Sequence, residues 1–228
     1  MRVLLGEPLA KQMLLLTKSK IKELNRHPVL KVVCRDKEQP YYKGILKDAK
    51  FCGVEIAEKY TPKYKIDGII SLDKDYPPEY DMNLDGGNFS HCAAEAVMRM
   101  FEFFGIPLKG KDVCLIGASG RVGISLTKLL LLSGANVTTC NRKTKNLYWR
   151  LIGKDILISC AGKAGIDLSG IATQWMTVVD IGHDLFNTQE CNALVPPVCG
   201  VGPVTRAVLM EHVYKNAIKR GAAKNESD

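Results

Sequence analysis

No C-x-x-C pair occurs in this chain, although it contains eight cysteines. Cys34, Cys52, Cys92, Cys114, Cys140, Cys160, Cys191 and Cys199 lie mostly inside apolar runs, where a reduced thiol behaves as a small hydrophobe. Neither a disulfide framework nor a thiolate metal site is expected. Histidines are few, four in all, and scattered, so zinc is not expected either and no residue is assigned to a metal. Aromatic residues make up 7% of the chain and do not interleave with its basic residues, which argues against a nucleic-acid partner. Long apolar runs are missing too. Leu129 to Leu132 is among the longest, far short of the roughly 20 residues that span a bilayer, so no membrane partner is expected. The first residues include Leu14 to Leu16 but lack the charged start, apolar centre and small-residue cleavage site of a leader, and a cytoplasmic location is the expectation. There are no internal repeats and no low-complexity tract.

What is present is the composition of an ordinary globular protein. The 228 residues, 46% hydrophobic and 25% charged, suffice for one large domain or two modest ones. The net charge of +8 reads first as a lysine-rich solvated surface, and second as an attraction for an anionic ligand such as a phosphate-bearing cofactor.

Apolar spacing predicts a helix over Pro8 to Leu24, a buried strand over Val29 to Cys34 and a second helix over Tyr41 to Cys52 stopped by Gly53. A short strand follows at Asp67 to Leu72. The stretch from Asp73 to Phe89, rich in Asp, Pro, Asn and Gly, reads as loop. A helix over His91 to Phe104 then leads into strands at Val113 to Ile116, Asn136 to Cys140, Ile156 to Cys160 and Thr177 to Ile181, with a helix over Val122 to Leu132. Val195 to Pro203 reads as a rigid loop, with Pro203 opening a closing helix to about Arg220. The fold class is therefore α/β. Two α/β domains are expected, the second of Rossmann type, with the closing helix returning to the first. The expected boundaries are 1–89 plus 204–220 for the first, 90–203 for the second, and a disordered tail over 221–228.

The chain is organised around the turn Gly117-Ala118-Ser119-Gly120-Arg121-Val122-Gly123, set between a strand and a helix. Such a turn offers unpaired N–H groups and the positive end of a helix dipole, and its glycines let a pyrophosphate approach the backbone. Where NAD-specific units carry an acid after the second strand, this chain carries Asn141-Arg142-Lys143-Thr144. Two cations and a hydroxyl suit a 2′-phosphate, so NADP is expected over NAD. Cys160-Ala161-Gly162 and Asp180-Ile181-Gly182-His183 follow two further strands, where a nicotinamide would lie; His183 fits either that pocket or an exposed loop.

Together these stretches resemble the methylenetetrahydrofolate dehydrogenase/cyclohydrolase family. Residues 117–123 are similar to its G-R-S-x-x-V-G turn, with Ala118 in place of the arginine and Arg121 available to compensate. Val137 to Thr144 is similar to its V-T-x-C-H-x-x-T strand end, and Val201-Gly202-Pro203-Val204-Thr205 to its G-G-V-G-P-M-T signature. The likeness covers most of residues 90 to 220 and is thinner before that. It implies that Thr205 joins the cofactor residues, that Gly202 and Pro203 lie beside a folate, and that the protein is a homodimer. The family also places a tyrosine and, four residues later, a lysine on the second helix. Counting back from Gly53, Tyr41 falls on the tyrosine and Ile45 on the lysine. An isoleucine cannot move a proton. Lys43 and Lys47 are the neighbouring amines, on other faces in this register, and Tyr41 with Lys43 is carried as the candidate catalytic pair. Asn83 stands where the family has the acid that holds the pterin ring; it can still hydrogen-bond, without charge. The resemblance thus implies an NADP-dependent methylenetetrahydrofolate dehydrogenase acting on a tetrahydrofolate derivative, with weak or lost cyclohydrolase activity. The alternatives are an NADP oxidoreductase for another small substrate, since Asn141-Arg142 is also similar to the N-R-T turn of shikimate dehydrogenases, and an inactive NADP-binding member.

Overall fold

A computed structural model describes residues 1–57, 66–72, 90–162 and 165–222. In chain order the elements are β1 (Arg2–Val3), α1 (Glu7–Ile21), β2 (Val29–Val33), α2 (Pro40–Cys52), β3 (Glu55–Ile56), β4 (Gly68–Ser71), α3 (Cys92–Phe103), β5 (Asp112–Ile116), α4 (Arg121–Leu132) and β6 (Asn136–Cys140). They continue as α5 (Leu147–Leu151), β7 (Ile156–Ser159), β8 (Ile166–Asp167), β9 (Thr177–Asp180), β10 (Leu185–Phe186), β11 (Ala193–Val195) and α6 (Val201–Ala217). The expected α/β fold with a Rossmann-type sheet is what the chain adopts.

The chain divides into two compact units, Met1–Leu9 with Ala93–Thr205, and Ala10–Cys92 with Arg206–Asp228. In the first unit, six parallel strands run in the order β1-β11-β9-β7-β5-β6. Every residue of β7 and β9 is buried, as strands covered on both faces must be, and their near-continuous apolar sequence reflects this. Cys114, Ile116, Leu157, Val178, Leu168 and Met176 form the core on one side of this sheet. The thiols of Cys114 and Cys140 lie 3.7 Å apart in it, and burial pushes the Cys114 thiol up to about 12. All eight cysteines are free, those inside the core serving as small apolar side chains.

In the second unit β3-β2-β4 make a parallel sheet over a small core of Val29, Ala57, Ile66 and Ile69. The buried carboxylate of Asp67 accepts from both terminal nitrogens of Arg26, at 2.6 and 2.7 Å, and from the N–H of Val29 at 2.9 Å. This fork satisfies both ends of the guanidinium.

Three expectations need correcting. Residues 1–9 pack with the Rossmann sheet and not with the first α/β unit, because β1 pairs with β11, Arg2 opposite Ala193. A strand of two residues has no periodicity from which to be recognised. The closing helix starts at Val201, two residues before Pro203. A proline is accepted in the first turn, where backbone N–H groups have no helical acceptor anyway. The chain also stays ordered past Arg220. It kinks at Gly221, φ +81°, and buries Ala222 completely, with the N–H of Asn25 donating to the Ala222 carbonyl.

Candidate functional site

β5 delivers the chain into the glycine turn. Gly117 has φ +86°, and a Cβ there would stand 2.7 Å from the backbone N of Ala161. At Gly123, in the first turn of α4, a Cβ would stand 2.3 Å from the Gly117 carbonyl oxygen. Both glycines are thus required by close backbone approach, one to the end of β7, the other to the turn itself. The N–H groups of Gly117 and Ala118 both donate to the Cys140 carbonyl at the end of β6, at 2.9 and 3.1 Å, which locks the turn against the neighbouring strand. Gly120 precedes α4 in an extended conformation, and no side chain caps the helix. The start of a helix, at the positive end of its dipole, forms a binding place for an anion.

Asn141 to Thr144 make a preformed turn. The Asn141 N–H donates to Thr144 Oγ1 and the Lys143 N–H to Asn141 Oδ1, each at 2.9 Å. Asn141 and Thr144 are therefore occupied in shaping the turn, while Arg142 and Lys143 are exposed on it.

The ends of β7 and β9 are tied together by carboxylates. Asp184, 1% exposed, accepts from Ser159 Oγ at 2.6 Å and from the Ala161 N–H at 2.9 Å. The Asp184 N–H in turn donates to Asp180 at 3.0 Å. Gly182 is needed here because a Cβ would stand 2.2 Å from an Asp184 oxygen. His183 takes φ +58°, a strained conformation for a non-glycine residue, and is exposed. Cys160 donates to the carbonyls of Ile116 and Gly117 at 3.3 and 3.6 Å, and burial, then the charge of Asp184, pushes its thiol up to about 11. Thr205 is buried, its hydroxyl donating to the Val201 carbonyl at 2.9 Å. Gly202 has open space where a side chain would be.

A separate cluster lies within the second unit. Tyr41 is on the first turn of α2, and among the described residues its hydroxyl has no hydrogen bond. Burial, then the neighbouring Cys92, pushes the phenol well above its ordinary range, with Arg206 opposing. Lys43 is not part of this cluster. It is exposed and paired with Glu38 at 2.6 Å, because residues two apart on a helix project in different directions. Ile45, at the expected lysine position, is completely buried. The cation beside Tyr41 is instead Arg206 from α6, its guanidinium carbon 5.9 Å from the centre of the ring. Arg206 Nε donates to Asp48 at 2.7 Å. Cys92 and His212, both buried, meet at 3.6 Å. Asn83 lies outside the described residues.

Sequence reasoning overlooked Asp48, Arg206 and Asp184. Asp48 left a signal: an acid on the same face of α2 as Ile45, Ala49 and Cys52, all buried. A charge on an apolar stripe calls for a partner. Arg206 left none that identifies its partner, since the two are 158 residues apart.

The sheet order, the glycine turn at the carboxyl end of β5 and the basic turn after β6 define a dinucleotide-binding α/β protein of the Rossmann type. Residues 91–221 match the model of the tetrahydrofolate dehydrogenase/cyclohydrolase NAD(P)-binding domain. The chain belongs to the tetrahydrofolate dehydrogenase/cyclohydrolase family. It is 33% identical over 162 residues to the bifunctional protein FolD of Kosmotoga olearia, a match covering 63% of this chain and 58% of that protein. The chain thus spans less than two thirds of the length of the first curated relatives it matches. Its fold is similar to that of the bifunctional enzyme FolD of Campylobacter jejuni, at a TM-score of 0.80, 24% identity, 96% of this chain and 99% of that one. It is similar too to the Trypanosoma brucei dehydrogenase-cyclohydrolase complexed with NADP and an inhibitor, at a TM-score of 0.79, 21% identity, 96% of this chain and 97% of that one. Among the described residues no cluster of metal-ligating side chains is found, and no helix is long and apolar enough to cross a membrane.

Proposed function

We propose that this protein is an NADP-dependent methylenetetrahydrofolate dehydrogenase with little or no cyclohydrolase activity. The observation that carries the reading is the pairing of an intact phosphate turn with a buried isoleucine at position 45. The turn assigned to the dinucleotide keeps its close-packed glycines, and the ionisable group expected to assist hydrolysis is absent from position 45.

In this reading the first turn of α4 receives the pyrophosphate, and Arg142 and Lys143 receive the 2′-phosphate on a turn already shaped by Asn141 and Thr144. NADP, when bound, supplies the hydride acceptor. The protein's own work is positioning: Asp184 holds the Ala161 amide and Ser159 in place, and Cys160 stays protonated and inert at neutral pH. Tyr41 stays a neutral phenol, able to donate to an oxygen or nitrogen of the substrate. Asn83, Gly202 and Pro203 are assigned to the pterin, and the active form is a cytoplasmic homodimer.

The test is NADP reduction by purified protein with methylenetetrahydrofolate, run beside consumption of methenyltetrahydrofolate. Reduction without accelerated hydrolysis is expected. Hydrolysis as fast as reduction would refute the loss of cyclohydrolase, and NADPH binding with no folate-dependent reduction would refute the substrate. Oxidation of another small substrate is the second reading. It is favoured by one observation, the Arg206–Asp48 pair beside Tyr41.

A further inference from the structure

Arg206 is held in a way that a purely structural arginine in the same unit is not. Arg26 and Arg206 have similar side-chain exposure, 26% and 21%. Arg26 spends both terminal nitrogens on Asp67. Arg206 bonds Asp48 through Nε alone, and among the described residues nothing accepts from its two terminal nitrogens. A fork tied at its base presents its strongest bidentate face outward.

The surroundings are shaped for this. Gly44 lies on α2 between Tyr41 and Asp48, and a Cβ there would come within 2.8 Å of Arg206 Nε and 2.9 Å of its guanidinium carbon. The missing side chain is the space the guanidinium occupies. Asp48, 9% exposed, is placed one turn further on to fix it. Beside the guanidinium is the Tyr41 ring, its centre 5.9 Å from the guanidinium carbon, and the hydroxyl of that ring has no hydrogen-bond partner among the described residues. Tyr41 and Arg206 together supply hydrogen-bond donors from a neutral phenol and a cation, with the nearest carboxylate already engaged. Such a set recognises an oxygen acceptor, a carbonyl or a carboxylate. It does not suit a cationic or a wholly apolar group.

We propose that Arg206, anchored by Asp48 and admitted by Gly44, is the substrate-positioning cation of this protein, donating from its terminal nitrogens to a carbonyl or carboxylate oxygen held beside Tyr41. It would supply, from another helix and over Gly44, the positive charge that Ile45 cannot. A guanidinium donates hydrogen bonds but does not shuttle protons at working pH. The substitution therefore keeps orientation and polarisation and gives up proton transfer. The substrate assigned to it rests on the dehydrogenase reading; the open guanidinium does not.

Two experiments separate these. First, full-length protein with NADPH bound is labelled with phenylglyoxal and the sites are mapped by mass spectrometry. Arg206 is expected to react about ten times faster than Arg26, because its terminal nitrogens are uncommitted, and sodium benzoate, as a simple carboxylate, is expected to slow it. Equal rates at the two arginines, or no protection by benzoate, would overturn the proposal whether or not folate is the substrate. Second, Arg206→Gln and Arg206→Lys are assayed for methylenetetrahydrofolate-dependent NADP reduction. Losing one charge-assisted contact predicts a fall of roughly 10- to 100-fold in kcat/KM for Arg206→Gln, with partial recovery in Arg206→Lys and NADPH affinity unchanged. If Arg206→Gln does not fold, the neutral pair Asp48→Asn with Arg206→Gln replaces it. A folded variant with unchanged kcat/KM would show that the pair only joins α2 to α6. A parent protein inert toward folate, with Arg206 still selectively labelled and protected, would overturn the dehydrogenase reading and leave the oxygen-binding cation standing.

Discussion

Gly120 and Gly123 occupy the same phosphate turn and are predicted to respond oppositely to alanine. A Cβ at Gly123 would meet backbone on three sides, 2.3 Å from the Gly117 oxygen and 2.6 and 2.8 Å from Ala118 Cα and carbonyl carbon. Backbone cannot swing away as a side chain can, so overpacking of about 1–3 kcal/mol is expected, its upper half more than offsetting the roughly 1 kcal/mol of helix propensity gained. At about 2–4 °C per kcal/mol for a domain of this size, Tm should fall by several degrees. At Gly120 the nearest atom to a new Cβ is 3.5 Å away, an ordinary contact, and φ is negative. Alanine there should leave Tm unchanged or raise it, by about 0.4–1 kcal/mol through the unfolded chain. Both substitutions should weaken NADPH, the first by moving the turn, the second by crowding the pyrophosphate, and about tenfold for each 1.4 kcal/mol lost. Thermal unfolding by circular dichroism and NADPH fluorescence titration measure the two effects separately. A Gly123→Ala protein as stable as its parent would refute the packing argument. A Gly120→Ala protein that binds NADPH as tightly as its parent would refute the placement of the pyrophosphate.

Replacing Arg142 by alanine should raise the Kd for NADPH by roughly 10- to 100-fold while leaving NADH unchanged, since the lost contact is a charge-assisted one to the 2′-phosphate. Equal effects on both nucleotides would show that the basic turn is not the discriminating element. Asp67→Asn should be strongly destabilising, by about 3–5 kcal/mol, because it leaves Arg26 paired to a neutral, buried amide; a chemical-denaturation midpoint close to the parent's would contradict this. The phenol of Tyr41 is raised above its unfolded value, so its contribution to stability is present below about pH 10 and is lost as pH climbs beyond it. Tyr41→Phe should flatten the alkaline fall of Tm above that pH, and an unchanged slope would refute the burial argument. Cys160, held up to about 11, should resist iodoacetamide at pH 7 and begin to react only as the pH nears that value, which mass spectrometry of the alkylated peptide would follow.

The Rossmann elements were legible because each has its own pattern and punctuation: an apolar run for β7, a glycine at each end of the turn before α4, a β-branched run for β6. What escaped was either too short or too remote. α5 is five residues long and enters through Asn146 in a left-handed conformation, so no helical stripe can form. β1 depends wholly on β11 for its definition. At the candidate substrate site Tyr41 and the loss of a lysine at Ile45 could be read from the chain. The replacing cation could not, because its place beside Tyr41 is created by Gly44 and Asp48 on one helix and filled from another. Lys43 was the nearest amine in sequence, and sequence proximity is a poor guide to what shares a helix face.

The pairing of Arg2 with Ala193 also sets the order of events during synthesis. β1 leaves the ribosome about 190 residues ahead of the strand it pairs with. Until β11 has been made, β1 has no strand to pair with, and β9, once made, has an unpaired edge. An open parallel edge of this kind templates association between chains, and a contact of such long sequence separation forms slowly. Freeing the first nine residues by truncation should therefore harm yield and solubility more than it harms the packed core, and a soluble, monodisperse product would show that β11 can serve as an edge unaided.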